Sequence, residues 1–238
     1  GHSQAYRRAG MTSGPGRRRA PRLKAEPESA RVSFIPPCLA TQASYPPVGA
    51  QWVYEIKYDG YRAQAHVADG GVTVLTRTGL DWTERLGRLA AALTSDLTMV
   101  LESKGTIDAR SAVIDGELIV EDAGGKPDFQ ALQREIRRGS DARIVFVAFD
   151  LLRHDGSDVT KRPLLERKRE LKRVIGKSGD GGLLRFSDHL PGDGAEILHH
   201  VCSLGLEGIV CKRADRPYRS GRSADWIKVK CARSERFV

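Results

Sequence analysis

From Val32 onward the chain keeps changing its hydrophobic period, and that limits what it can fold into. Short runs with strand character at 52–56, 61–67 and 72–76 are set off by Asp59-Gly60 and Asp69-Gly70-Gly71. Asp-Gly between apolar runs is a hairpin signal, so the first two strands are expected to join at Asp59-Gly60. Residues 81–93 then put Leu86, Leu89, Ala90 and Leu93 on one helical face. Strand character returns at 113–120, interrupted by Asp115-Gly116, and a helix is predicted over 129–136 with Asp128 as its N-cap. The remaining pattern predicts a buried strand at 144–152 and an amphipathic Lys/Arg-rich helix at 164–175 behind Pro163. A short strand at 183–186, a helix at 195–204 and strands at 207–212 and 226–231 complete it. Hairpins separated by helices predict an α+β fold rather than a doubly wound parallel sheet. There is no internal repeat.

Hydrophobic residues make up 40% of the 238, enough for a sizeable core. The net charge of +9 suggests a polyanionic partner. Its location weakens that inference. Residues 1–31 hold eight Lys and Arg against two Asp and Glu, while the rest hold 31 against 28. Any nucleic-acid surface on the folded part must therefore be local. The first 31 residues, rich in Arg, Gly, Pro and Ala, are expected to form a disordered basic tail or linker. Within it, Gly1-His2 reads as the remnant of a cleaved tag, and Arg17-Arg18-Arg19 could touch phosphates. Four cysteines without Cys-x-x-Cys spacing, Cys38, Cys202, Cys211 and Cys231, predict reduced thiols and no zinc site. No apolar run approaches the ~20 residues that span a bilayer, and no secretory leader is visible. A cytoplasmic, nucleoid-associated monomer is expected.

The stretch Glu55-Ile-Lys57-Tyr-Asp59-Gly60-Tyr-Arg62 places a lysine among apolar and aromatic neighbours. A free lysine amine, with a pKa of about 10.4, is protonated and cannot attack an electrophile. Partial burial and nearby cations destabilise the ammonium, and Lys228 and Lys230 are candidates for those cations. Taken alone, the stretch is more simply a solvent-facing lysine before a turn. Glu117 and Glu207, however, lie among apolar strand residues, where a carboxylate needs a partner or a metal. Mg²⁺ or Mn²⁺ shared with phosphate oxygens would satisfy them. The chemistry that needs these parts together is nucleotidyl transfer to a lysine.

In their order along the chain, several blocks carry a resemblance. They are Trp52-Val-Tyr-Glu-Ile-Lys-Tyr-Asp-Gly-Tyr-Arg62, Thr76-Arg-Thr-Gly-Leu-Asp-Trp-Thr83, Ile114-Asp-Gly-Glu-Leu118 and Phe149-Asp-Leu-Leu152. Glu207-Gly-Ile-Val-Cys-Lys212 and Tyr218-Arg-Ser-Gly-Arg-Ser223, leading to Trp226-Ile-Lys-Val-Lys230, follow. Over about 34–231 the chain resembles the nucleotidyltransferase domain of ATP-dependent DNA ligases, of the bacterial end-joining ligase D type. The resemblance implies an ATP-grasp-like domain over 32–238, with ATP between two mainly antiparallel sheets. It implies that Lys57 carries AMP covalently and that Glu55 and Ile56 lie along the adenine edge, largely through backbone groups. Phe149 would stack on adenine, and Arg62 and Arg77 would face ribose and phosphate. Glu117 would contact ribose or metal, and Glu207 the metal. Lys228 and Lys230 would hold the α-phosphate, Asp59 would belong with them to the catalytic set, and Lys212 would bind nucleotide in a less defined way.

The implied partners are ATP, nicked or broken DNA, and other end-joining repair components. The resemblance also sets two departures. The chain stops at Val238, where an oligonucleotide-binding domain is expected to follow, and 94–111 reads as a surface insertion. The same lysine chemistry serves mRNA-capping guanylyltransferases and RNA ligases, which remain an alternative. A DNA-binding module without catalysis is a second, disfavoured by the paired carboxylates.

Overall fold

The computed structural model describes residues 33–68, 70–93, 107–176 and 182–231. The basic tail at 1–31 and most of the expected insertion at 94–111 lie outside the described residues. Ten strands and four α-helices are found among the described residues, and the α+β expectation holds.

One sheet has the order β1-β10-β9-β2, built from β1 (Cys38–Gln42), β2 (Trp52–Ile56), β9 (Gly208–Arg213) and β10 (Gly221–Lys230). Its pairs are antiparallel except β1 with β10. The other has the order β4-β3-β5-β6-β7, with β8 also on β6. It comprises β3 (Tyr61–Ala68), β4 (Gly71–Thr76), β5 (Ser111–Ile119), β6 (Val145–His154), β7 (Ser157–Asp158) and β8 (Leu184–Phe186). The strand β6 lies between β5 on one side and β7 and β8 on the other, which accounts for its nearly unbroken apolar run.

The helices cover outer faces. Helix α3 (Leu164–Ile175) turns Leu164, Leu171, Val174 and Ile175 inward, and with them Arg167 and Lys168. It packs on β6 and β8, while α1 (Gly87–Leu93) packs on β4. Helix α4 (Gly194–Ser203) packs on β9 and β2. Helix α2 (Phe129–Arg138) starts at Asp128, whose carboxylate accepts from Ala131 N at 2.8 Å, as its sequence predicts. Between the two sheets lies a separate apolar cluster of Cys38, Val113, Phe149, Leu152, Tyr218 and Trp226. No helix among the described residues is long and apolar enough to cross a membrane.

Four sequence expectations are corrected. Asp59-Gly60 is not a hairpin. The strand β2 pairs with β9 and β3 pairs with β4 and β5, so residues 57–60 cross from one sheet to the other. The tight-turn signal is met by a close approach instead: a Cβ on Gly60 would collide with the Leu118 carbonyl oxygen. The strand at 113–120 is continuous as β5, and Asp115-Gly116 marks an irregularity in its register with β6 rather than a break. The helix expected at 81–93 divides into a 3-10 turn, Glu84–Leu86, and α1, because Asp81 bridges to Leu75 and caps Thr83. The four cysteines are not all thiols. Cys202, in α4, is bonded to Cys231 just past β10, with Cα atoms 5.5 Å apart. Packing of α4 against β9, the neighbour of β10, brings them together, and no local spacing signals it. Cys38 and Cys211 are free and buried.

The crossover gives a direct test. Gly60→Ala is expected to destabilise the fold by about 1–3 kcal/mol, the usual result of overfilling a packed site. Urea unfolding of parent and variant measures it, and equal midpoints would contradict the close approach.

Candidate active site

A cleft of about 240 Å³ opens between the sheets, and its walls come from eight strands or their ends. From the β2 side, Glu55, Ile56 and Lys57 line it; from β3, β4, β5 and β6 come Arg62, Arg77, Glu117 and Phe149. Lys212 of β9 and Lys228 of β10 complete the predicted members there. The remaining three, Asp59, Glu207 and Lys230, do not line it. Asp59 and Glu207 line a second cleft that shares Lys57 with the first.

Lys57 is held at the junction. Its backbone N–H donates to the Gly208 carbonyl at 2.9 Å. Its Nζ donates to Glu207 Oε2 at 2.5 Å, and Lys230 Nζ lies 3.0 Å from the other carboxylate oxygen. Glu207 precedes β9 rather than lying in it, and only glycine suits the next position. Gly208 has φ +149°, and a Cβ there would strike the Val229 carbonyl of β10. Burial pushes the Glu207 carboxyl upward, but the two lysine hydrogen bonds outweigh it and hold the pKa below the ordinary value.

Glu117 behaves oppositely. It is half-buried, and desolvation pushes its pKa up to about 7 in spite of Arg62 and Lys57 nearby. Exposed Asp59 is also raised, by burial of its carboxyl and by the charge of Glu207. Lys228 is lowered by burial and by the like charges of Lys57, Lys230 and Arg222. One end of the cleft is thus rich in cations.

The other end is aromatic. Phe149 and Trp226 are buried and meet edge to face at 6.1 Å. Arg62 lies 4.7 Å from the Phe149 ring centre, and Lys212 lies 4.1 Å from that of Trp226. Arg62 is fixed by a two-point ion pair with Asp115, both contacts at 2.7 Å. Burial opposes its charge, and the Asp115 carboxylate keeps it fully protonated. Asp115 also accepts from Tyr218 Oη at 2.6 Å, and Tyr218 accepts from Cys38 N at 2.9 Å.

The Glu55 side chain is more engaged than a backbone role on the adenine edge requires. It is 2% exposed, with Lys168 and Lys212 each 2.8 Å from one of its oxygens. Sequence reading missed Trp226, Arg222 and Lys168 as cleft-associated residues. Trp226 and Arg222 stood within matched blocks without a role, and only the inward face of α3 reveals Lys168.

No group of three or more His, Cys, Asp or Glu among the described residues could hold a metal ion unaided. An ion such as Mg²⁺, bound through one or two carboxylates, takes its other ligands from phosphate oxygens and water.

A sequence profile of the ATP dependent DNA ligase domain matches residues 37–230, and the chain belongs to that family. It is 41% identical over 231 residues to the multifunctional non-homologous end joining protein LigD of Pseudomonas aeruginosa, covering 97% of this chain and 26% of that protein. It is 34% identical to the LigD of Mycolicibacterium smegmatis, covering 92% and 26%. A solved structure of mycobacterial DNA ligase D complexed with ATP and MES superposes with a TM-score of 0.67 at 34% identity, covering 82% of this chain and 59% of that one. The chain therefore spans about a quarter of the length of these curated relatives.

The environment of Glu117 predicts a pH effect. Folded, it keeps its proton up to about pH 7, whereas an unfolded glutamate releases it near 4.5. Between those values the native state binds more protons, so this group lowers stability as pH rises. Glu117→Gln should gain stability relative to the parent between pH 5 and pH 8, in metal-free buffer. A stability difference that stays constant with pH would contradict the assignment.

Proposed function

We propose that residues 32–238 form the adenylation domain of an ATP-dependent DNA ligase and that Lys57 is its nucleophile. The observation that carries the reading is the cleft itself: an aromatic end suited to a purine, and Lys57 among further cations suited to phosphates. The amine forms a bond to the α-phosphorus of ATP while the bond to pyrophosphate breaks, leaving AMP as a lysyl phosphoramidate. The Nζ proton that must leave before attack points at Glu207.

Phe149 and Trp226 bound the base, with Ile56 and Glu55 along its edge. Arg62 and Arg77 face ribose and phosphate, and Lys228 and Lys230 draw in the α-phosphate. Asp59 stands with Glu207 beside the nucleophile, where it helps fix the local charge. Glu117 and Glu207 would hold a divalent cation with the phosphates. Such an ion, Mg²⁺ or Mn²⁺, supplies neutralisation of the charge developing on the phosphoryl oxygens.

In the full protein, AMP would pass to the 5′-phosphate of a DNA break, and a 3′-hydroxyl would then displace it. The named relatives support a role in double-strand break repair by end joining, within a longer multidomain chain that carries further repair components.

With labelled ATP and Mg²⁺ or Mn²⁺, the protein should become covalently labelled, and Lys57→Ala should abolish the label. Labelled GTP should give none. Undiminished labelling of the variant would overturn the nucleophile assignment, and preferential labelling by GTP would favour a guanylyltransferase.

A further inference from the structure

Beneath the aromatic end of the cleft lies a charge cluster that the chemistry at Lys57 does not use. Glu55, Lys168 and Lys212 are each 2% exposed. Lys212 Nζ donates to Glu55 Oε2 at 2.8 Å, and Lys168 Nζ lies 2.8 Å from Oε1. Two buried ammoniums thus face one carboxylate. One would be enough to neutralise it, and the second carries its own desolvation penalty. Burial and Lys168 depress the Lys212 pKa, while Glu55 opposes them.

Lys168 is also anchored away from the cleft. It donates to the Ser187 carbonyl at 2.7 Å and, more weakly, toward the Phe149 carbonyl at 3.4 Å. It comes from α3, on the far side of the sheet from the ligand space, and is not among the residues lining the cleft. Lys212 and Glu55 do line it, and Lys212 sits 4.6 Å from the Phe149 ring centre.

We propose that Lys168 is a positioning residue for base selection: by taking one oxygen of Glu55 it stops that carboxylate from closing onto Lys212 with both. Oε2, which accepts from Lys212 and is approached by Ser187 Oγ only at 3.4 Å, keeps acceptor capacity, and the Lys212 ammonium keeps further N–H donors, so an acceptor and a donor stand side by side at the base end of the cleft. A 6-aminopurine offers the complementary pair, an exocyclic N–H and a ring nitrogen acceptor. A 6-oxopurine offers the reverse order. A site that hydrogen-bonds one pattern rejects the other because its own buried groups are left unpaired. Without Lys168, Glu55 and Lys212 satisfy each other and read the base less strictly. This inference rests on the ATP reading above.

The test measures covalent labelling of the purified protein by ATP and by inosine triphosphate, which differs at the 6-position. For Lys168→Met, the half-saturating ATP concentration should rise about tenfold while the maximal labelling rate changes less than about threefold, the mark of lost binding rather than lost chemistry. The preference for ATP over inosine triphosphate should fall by about tenfold. A purely structural role would lower the yield of folded protein without moving that preference. Glu55→Gln gives a second readout: the preference must fall there too, and adding Lys168→Met must change it no further. An unchanged preference in either single variant overturns the proposal. Failure of the parent protein to label with ATP would instead overturn the nucleotidyl-transfer reading beneath it.

Discussion

The ion pair between Lys57 and Glu207 ties together parts of the chain 150 residues apart, and the site is organised around it. Glu207 shares its other oxygen with Lys230, so one carboxylate joins the sheet crossover, the entry to β9 and the end of β10. The backbone bond from Lys57 N to the Gly208 carbonyl runs alongside. Small residues make this closeness feasible: a side chain at Gly60 or Gly208 would collide with backbone of the neighbouring strand. The Lys57 amine is therefore held against the four-stranded sheet, at the start of the crossover to the other, rather than carried on a free loop.

Around that point the protein buries charge heavily, and three acids hold four basic groups. Asp115 holds Arg62, Asp150 holds Arg167 through contacts at 2.7 and 2.9 Å, and Glu55 holds Lys168 and Lys212. Such pairs add little net stability compared with well-packed apolar residues, but breaking one costs about 3–5 kcal/mol. Their value here is placement. Arg62 and Lys212 are aimed at the faces of Phe149 and Trp226, which fixes the shape of the cleft before any ligand enters. Preorganised polar groups of this kind lower the reorganisation required during reaction.

Much of this was legible in the sequence, for identifiable reasons. The helix at 164–175 and the strand at 144–152 were plain from period and apolar content, and the structure places them at 164–175 and 145–154. Nine of the twelve expected site residues line one cleft because short motifs at strand ends fix both residue type and direction. What was not legible depended on long-range pairing. Asp59-Gly60 carries the local chemistry of a hairpin, and nothing nearby shows that its strands belong to different sheets. The Cys202–Cys231 bond joins elements that meet only after α4 packs against the sheet. Lys168 looks like one more exposed cation in Glu166-Arg167-Lys168-Arg169-Glu170 until the helix is turned against β6. The strand β1 lies between Pro36-Pro37 and Pro46-Pro47, in a stretch too short and irregular in pattern to mark a strand by its own period.

The account stands most directly on where a nucleotide becomes attached. Incubation of the unaltered protein with ATP and Mg²⁺, followed by peptide mapping in a mass spectrometer, should place one adenylyl group on Lys57, within the segment from Glu55 to Arg62. An adduct on Lys228 or Lys230 instead, or no adduct on any peptide, would contradict it.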